Sequence, residues 1–195
     1  MNSTWQIATG GDLGSGLDAD GGQDVYDVVS TADGYVAVGL DGFSAVWTSP
    51  DALTWTQQPL GAEFNGTQMT HVEQAPDGTL VAVGRRLGEP HRFAAWTSPD
   101  GLTWTQQPPA TGDLPGGHQG VVDFEAHPGG FVAVGAAQDG AGDSDAAWWT
   151  SPDGVTWTAG TIPEAGTQMM AGVAVGNGVM VAAGQHGQEV GAWRA

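Results

Sequence analysis

An all-β fold, a β-propeller of four four-stranded antiparallel blades, is predicted by three observations. First, an apolar phrase returns four times, as Tyr35-Val-Ala-Val-Gly39, Leu80-Val-Ala-Val-Gly84, Phe131-Val-Ala-Val-Gly135 and Met180-Val-Ala-Ala-Gly184, its starts 45, 51 and 49 residues apart. Second, each phrase follows a tight-turn dipeptide: Asp33-Gly34, Asp77-Gly78, Gly129-Gly130 and Asn177-Gly178. Third, three copies of Trp-Thr-Ser-Pro-Asp begin at Trp47, Trp96 and Trp149, and a further Trp stands at 193. A period near fifty built from short apolar runs and Gly-rich turns is how blades are written in sequence.

Each unit opens with strand A. Twelve residues before every phrase stands a Gln preceded by Gly-x: Gln23, Gln68, Gln119 and Gln168. The stretch between Gln and phrase is β-rich, and the Asp-Gly or Asn-Gly that ends it supplies the positive φ of a hairpin turn. The phrase itself is strand B, apolar on both faces as in a sheet sandwiched between two others. Its small Ala (37, 82, 133, 182) suits a crowded side near the axis. A B–C loop of variable length follows. The Trp then opens strand C, a Ser-Pro-Asp-Gly segment makes the turn, and a second Trp (55, 104, 157) opens strand D. Ala52 replaces the turn Gly in the first unit, so that turn is expected to differ slightly.

The fourth unit stops two residues after Trp193, and the missing Thr-Trp stands at the other end as Thr4-Trp5. This predicts that the N-terminal segment completes the last blade and removes an open edge. The expected blades are about 21–58, 66–108, 117–160, and 166–195 plus 1–8, all in one domain. The alternative is an eight-bladed ring from two chains; the monomer is preferred because the two ends complement each other within one chain.

Composition narrows the functions. The chain of 195 residues has no Lys, four Arg and 22 acidic residues, a formal net charge of −18. Such a surface repels phosphate backbones and anionic lipid, so neither nucleic acid nor a membrane surface is an expected partner. Neutral ligands such as sugars, a protein partner and cations remain compatible. With no Cys there is no disulfide or thiolate chemistry. No apolar run is long enough to span a membrane, and Met1 leads into polar residues without a signal peptide. A secreted setting is the weakly preferred expectation.

The Ser-Pro-Asp-Gly-x-Thr-Trp segments at Ser49, Ser98 and Ser151 resemble the Asp-box, or BNR repeat, of sialidases and related propellers. The usual form, Ser-x-Asp-x-Gly-x-Thr-Trp, is shortened here by one residue. The resemblance implies a structural C–D hairpin on the face away from an active site, which would make Ser49, Asp51, Ser98, Asp100, Ser151 and Asp153 folding residues. The sialidase catalytic set implied by the family is not matched. An Arg triad drawn from different blades has no counterpart, because Arg85, Arg86 and Arg92 share one loop and Arg194 is terminal. Tyr26 and Tyr35 are the only tyrosines. The chain is therefore expected not to be an enzyme.

Candidate binding residues follow from loop variation over a repeated frame. The second B–C loop carries Arg85, Arg86, His91 and Arg92, the third Asp143 and Asp145, and the fourth His186. The four Gln (23, 68, 119, 168) are expected to ring the channel mouth, as ligand contacts or as a repeated structural latch. No catalytic set, metal site or cofactor is expected, beyond an ion or water in the channel. Three functions are carried forward: a non-catalytic binding or scaffold propeller of lectin type, a sialidase-like glycoside hydrolase, and an excised or engineered structural propeller without activity.

Overall fold

The computed structural model describes residues 22–112, 114, 117–139 and 141–195. Its described residues are almost wholly strand and turn, with one short 3-10 turn at Ala62–Phe64. Sheet 1 contains β1 (Gln23–Thr31), β2 (Gly34–Asp41), β3 (Phe43–Ser49) and β4 (Thr56–Gln58), hydrogen-bonded in that order. Sheet 2 repeats it with β5 (Thr67–Gln74), β6 (Leu80–Arg86), β7 (Arg92–Ser98) and β8 (Thr105–Gln106). Sheet 3 holds β10 (Gln119–His127), β11 (Gly130–Gln138), β12 (Ser144–Ser151) and β13 (Thr158–Ile162), with β9 (Thr111–Gly112) added parallel to β13. Sheet 4 has β14 (Gln168–Gly176), β15 (Val179–His186) and β16 (Glu189–Arg194). The four antiparallel A-B-C units are those the repeat predicts; β9 lies between the expected second and third blades. The strand expected around Thr4-Trp5 lies outside the described residues.

The sheets pack face to face in sequence. Val36, Val38 and Val46 of sheet 1 meet Leu80, Ala82 and Trp96 of sheet 2. Val81, Val83 and Ala95 of sheet 2 meet Phe131, Ala133 and Trp149 of sheet 3. Val132, Val134 and Ala146 of sheet 3 meet Ala182, with Met180 and Trp193 beside it, in sheet 4. Sheets 1 to 3 thus each show a valine face to the next sheet, and sheets 2 to 4 a tryptophan face to the one before. The alanines of the phrase sit on the tryptophan face. Ala37, Ala82, Ala133 and Ala182 lie directly opposite Trp47, Trp96, Trp149 and Trp193 in the ladder, so the indole across the strand, not the axis, requires the small side chain.

The phrase's last Gly has a different cause. Every strand A carries a β-bulge, between Val25 and Asp27, Met69 and His71, Val121 and Asp123, and Met170 and Gly172. The bulge presses the strand A backbone against strand B. A Cβ on Gly39, Gly84, Gly135 or Gly184 would run into the carbonyls of Asp24, Gln68, Gly120 or Met169. Bulges re-aim side chains, and here they decide what faces the middle of the molecule.

The C–D hairpins are held by bonds from their own side chains. Asp100 Oδ1 accepts the Leu102 and Thr103 N–H groups at 2.8 and 2.7 Å, Ser98 Oγ accepts Gly101 N–H at 2.8 Å, and Trp104 Nε1 donates to Gly101 O at 3.1 Å. Asp51 and Asp153 repeat the two backbone bonds. Those bonds, the one from the threonine first, hold all three carboxyls below the ordinary aspartate range. Ala52 keeps a φ of 62°, close to the 74° and 72° of Gly101 and Gly154. The first turn therefore retains the shape of the others and carries the strain of a left-handed alanine.

Candidate functional site

The A strands β1, β5, β10 and β14 are neighbours in space, and the residue after each of the first three bulges reaches from one sheet to the next. Asp27 Oδ2 accepts Val72 N–H at 2.9 Å while its Oδ1 accepts Val28 N–H at 2.8 Å. His71 Nε2 stands 3.2 Å from Val122 O, an acceptor only, so that nitrogen donates; Nδ1 is 2.9 Å from Thr70 Oγ1. Asp123 Oδ2 accepts Val173 N–H at 2.8 Å and its Oδ1 accepts Phe124 N–H at 2.9 Å. These three residues and Gly172 occupy one register position, opposite Val38, Val83, Val134 and Ala183. Three of the four repeats thus place an inter-sheet latch here, two with Asp and one with His.

Two further carboxyls join them. Glu73 and Glu125 sit at a second shared register position, opposite Val81 and Val132. Burial first, and then the charge of Asp27, pushes the half-buried Glu73 carboxyl above its usual range; Glu125 and Asp123 add to this, and the Gln74 N–H partly offsets it. Glu125 Oε1 accepts Val175 N–H at a long 3.3 Å. Four carboxyls from three sheets therefore share one field, and one of them is biased toward keeping its proton. Among the described residues no group of three His, Asp or Glu is placed to hold a metal ion.

The loop residues singled out in the sequence lie on one end of the molecule, where strand A starts meet B–C loops. Leu87 N–H bonds Gly66 O, Gln138 N–H bonds His118 O, and Gly187 N–H bonds Thr167 O. Arg85 Nε donates to Gln68 Oε1 at 2.7 Å, and Gln68 Nε2 donates to Tyr26 OH at 2.9 Å, joining sheets 1 and 2. Arg92 reaches Gly117 O at 3.3 Å, and His91 meets His118 edge-on with centroids 4.7 Å apart, joining sheets 2 and 3. Arg86 is exposed at the end of β6. His186 pairs with Glu164 at 3.1 Å. Asp143 donates its N–H to Asp139 Oδ1 within its own loop, and Asp145 pairs with Ala137 in the ladder. Arg85 and Arg92 thus lie at the seams of sheet 2, while Asp143 and Asp145 bond within sheet 3 and its loop.

The four glutamines do not make an equivalent ring. Gln23, Gln119 and Gln168 stand two residues before the partner of the phrase's Gly, whereas Gln68 stands one before it, and Thr67 takes the matching place. Their partners differ as well. Gln23 Nε2 donates to Asp41, Gln119 Oε1 accepts Phe93 N–H from the preceding sheet, and Gln168, 1% exposed, donates to the carbonyls of Glu164 and Gly166. The even twelve-residue spacing hides this slip, because sheet 2 is one residue shorter at its strand A entry and one longer at its hairpin.

Sequence reasoning passed over Asp27, His71, Glu73 and Asp123. The one available clue was acidic residues inside strand A, in an otherwise apolar strand setting. Which of them face inward depends on the bulge.

No family model and no curated protein matches the sequence. Solved structures resemble the fold. A thermostable family-43 glycoside hydrolase aligns over 91% of this chain and 71% of its own, with a TM-score of 0.53 and 14% identity. An exo-1,5-α-L-arabinanase from a bovine ruminal metagenomic library aligns over 90% and 73%, with a TM-score of 0.52 and 9% identity. A candidate glycoside hydrolase from Parabacteroides distasonis aligns over 86% of this chain but 64% of its own, with a TM-score of 0.52 and 13% identity. The chain thus spans roughly two thirds of the length of such structures. The likeness defines the class of fold, a propeller-type architecture found in glycoside hydrolases. It also corrects the expectation of a non-enzyme: the architectures resembled belong to enzymes that act on glycosides.

Proposed function

We propose that this chain is a glycoside-processing enzyme acting on neutral sugars, with Glu73 as proton donor and Glu125 as its carboxylate partner. The observation that carries the reading is the carboxyl field on the A strands, in which burial and the neighbouring carboxylates push Glu73 toward its protonated form. Glycoside cleavage needs one carboxyl that keeps a proton for the leaving oxygen and a second that faces the sugar as a base or nucleophile. Asp27 and Asp123 have both oxygens engaged by backbone N–H groups, which makes them framework. Glu125 is the less tightly held. An acid-lined site in a chain of net charge −18 disfavours anionic sugars, so the substrate class is neutral. In this reading the four sheets form one ring from one chain, and the Asp-box-like hairpins are structural.

The test is a panel of 4-methylumbelliferyl glycosides of neutral pentoses and hexoses. On unactivated disaccharides of the same sugars, Glu73→Gln is expected to lower kcat by about 10²–10⁴-fold. It should lose far less on an aryl glycoside whose leaving group needs no proton, while Glu125→Gln loses activity on both. A folded wild-type protein inert across the panel, or Glu73→Gln acting like wild type, would end this assignment.

A further inference from the structure

One position on the A strands breaks the repeat and takes no part in the latches or the carboxyl field. The extra residue of each bulge is, in turn, Tyr26, Thr70, Val122 and Ala171. Tyr26 is the aromatic member, next in sequence to Asp27, and it is 43% exposed. A ring so exposed fills no core, yet this one is tethered. Gln68 Nε2 donates to its hydroxyl at 2.9 Å, and Arg85 Nε donates to Gln68 Oε1 at 2.7 Å. The one-residue slip at Gln68 makes the tether: it sets Gln68 opposite Arg85 and turns its side chain to the other face of its strand from the three matching glutamines. Arginine only donates, so Gln68 turns its oxygen to Arg85 and its amide nitrogen to Tyr26. The phenol oxygen is therefore the acceptor in this chain, and its own proton is left to donate. Among the described residues nothing accepts that proton. The result is an exposed ring held at its tip, with one hydrogen-bond donor to spare.

We propose that Tyr26 is a sugar-stacking platform beside the carboxyl field, binding a neutral sugar unit next to the one held at Glu73, so that the substrate is an oligosaccharide. The substrate class is that of the glycoside reading above, on which this rests. Glu73 lies opposite Val81 and Val29 opposite Val36, the same place in the two phrases, so Glu73 stands at the level of Val29. Tyr26 is three residues from that level, about 10 Å along the strand direction, toward the end where strand A starts meet the B–C loops. That interval suits the next unit of a sugar chain whose reacting end is at Glu73. A sugar ring has an apolar C–H face and a rim of hydroxyls. The Tyr26 ring takes the first, and its spare O–H donates to the second. Because Gln68 and Arg85 hold the ring before any ligand arrives, less ordering cost is left for binding. Thr70, Val122 and Ala171 offer no such surface at the matching positions, so the platform belongs to sheet 1.

Isothermal titration of arabinotriose, xylotriose and cellotriose into Glu73→Gln, which leaves the sugar chain uncut, reads the platform directly. For a trisaccharide that binds, adding Tyr26→Ala should raise Kd about tenfold. Adding Tyr26→Phe, which keeps the ring and removes the donor, should raise it about threefold. Gln68→Glu tests the tether: its carboxylate still pairs with Arg85 but accepts the Tyr26 proton, so Kd should rise as in Tyr26→Phe. The rise with Tyr26→Ala should be larger for the trisaccharide than for the matching methyl monoglycoside, whereas a purely structural change would weaken both alike. Equal rises, a Tyr26→Ala protein that binds like its parent, or a folded parent that binds none of the three at millimolar concentration would each overturn the proposal. The two readings fail separately. Wild type that cleaves no trisaccharide, while Tyr26→Ala still weakens its binding, ends the glycoside assignment and supports the platform. Cleavage by wild type with a Kd indifferent to Tyr26 ends the platform and supports the assignment.

Discussion

The seam between sheets 2 and 3 and the seam between sheets 3 and 4 come from the same repeat and are packed differently. In the first, Phe93 stacks on Trp149 with centroids 5.1 Å apart at 10°, and Phe93 and Phe124 both lean on Trp157. In the second, the position of Phe93 is taken by Ala146, and Trp193 is a wall of an apolar cavity of about 460 Å³. Farther round, the valine face of sheet 4 shows Val181 at 46% and Val190 at 89% exposed, where Val36 and Val81 are buried. The same phrase therefore yields a tight core or an open face, depending on what the next segment of chain brings to it.

The largest expected effect separates the two seams directly. Trp149→Ala removes a fully buried, stacked ring and should cost about 3–5 kcal/mol in urea unfolding. Trp193→Ala, at the same ladder position beside a cavity, should cost less than half of that. Equal losses would mean that the third and fourth sheets pack as tightly as the second and third.

A smaller contrast lies in the turns. Gly154 has a φ of 72°, and a Cβ there would stand 2.5 Å from Val81 Cγ2; at Gly101 the matching approach is 2.7 Å, to Val36 Cγ2. Gly154→Ala should therefore cost roughly 1–3 kcal/mol, from left-handed strain plus a push on the neighbouring sheet. Ala52→Gly should stabilise, by up to about 1 kcal/mol, since it relieves the same strain. Matching unfolding curves for all three proteins would sink the contrast.

The smallest effects are electrostatic and run in opposite directions. Asp100 is held below its ordinary range, so its contribution to stability is present above that range and is lost as pH falls through its folded value. Asp100→Asn should thus be the less stable protein at pH 7, with the gap closing in acid. Glu73 is raised, so folding disfavours its ionised form, and wild type loses stability as pH climbs through the window above the ordinary glutamate range. Glu73→Gln should be level with wild type in acid and more stable at pH 7. Urea midpoints measured across pH 3–8 check both signs; a Glu73→Gln protein weaker at pH 7 would contradict the field described on the A strands.

The strands, hairpin turns and sheet order were legible because their causes are local. Asp-Gly and Ser-Pro-Asp-Gly specify turns through their own φ values and side-chain bonds, and Trp and Val alternate with the pleat. The site was not legible in the same way. Arg85 and Gln68 were singled out and do meet, but with Tyr26 as third member, a residue that the bulge puts at the seam. The twelve-residue spacing suggested four equivalent glutamines, and a one-residue slip at Gln68 broke the equivalence.

By itself, the order of residues determined a repeated all-β chain of four A-B-C units, a strongly acidic surface and the Asp-anchored hairpins, because each is encoded within a dozen neighbouring residues. Only the tertiary structure decided that Asp27, Asp123 and Glu125 act on Glu73. Their shared field depends on a backbone bulge in each strand and on the sheet packed alongside, and both are properties of contacts between segments some fifty residues apart.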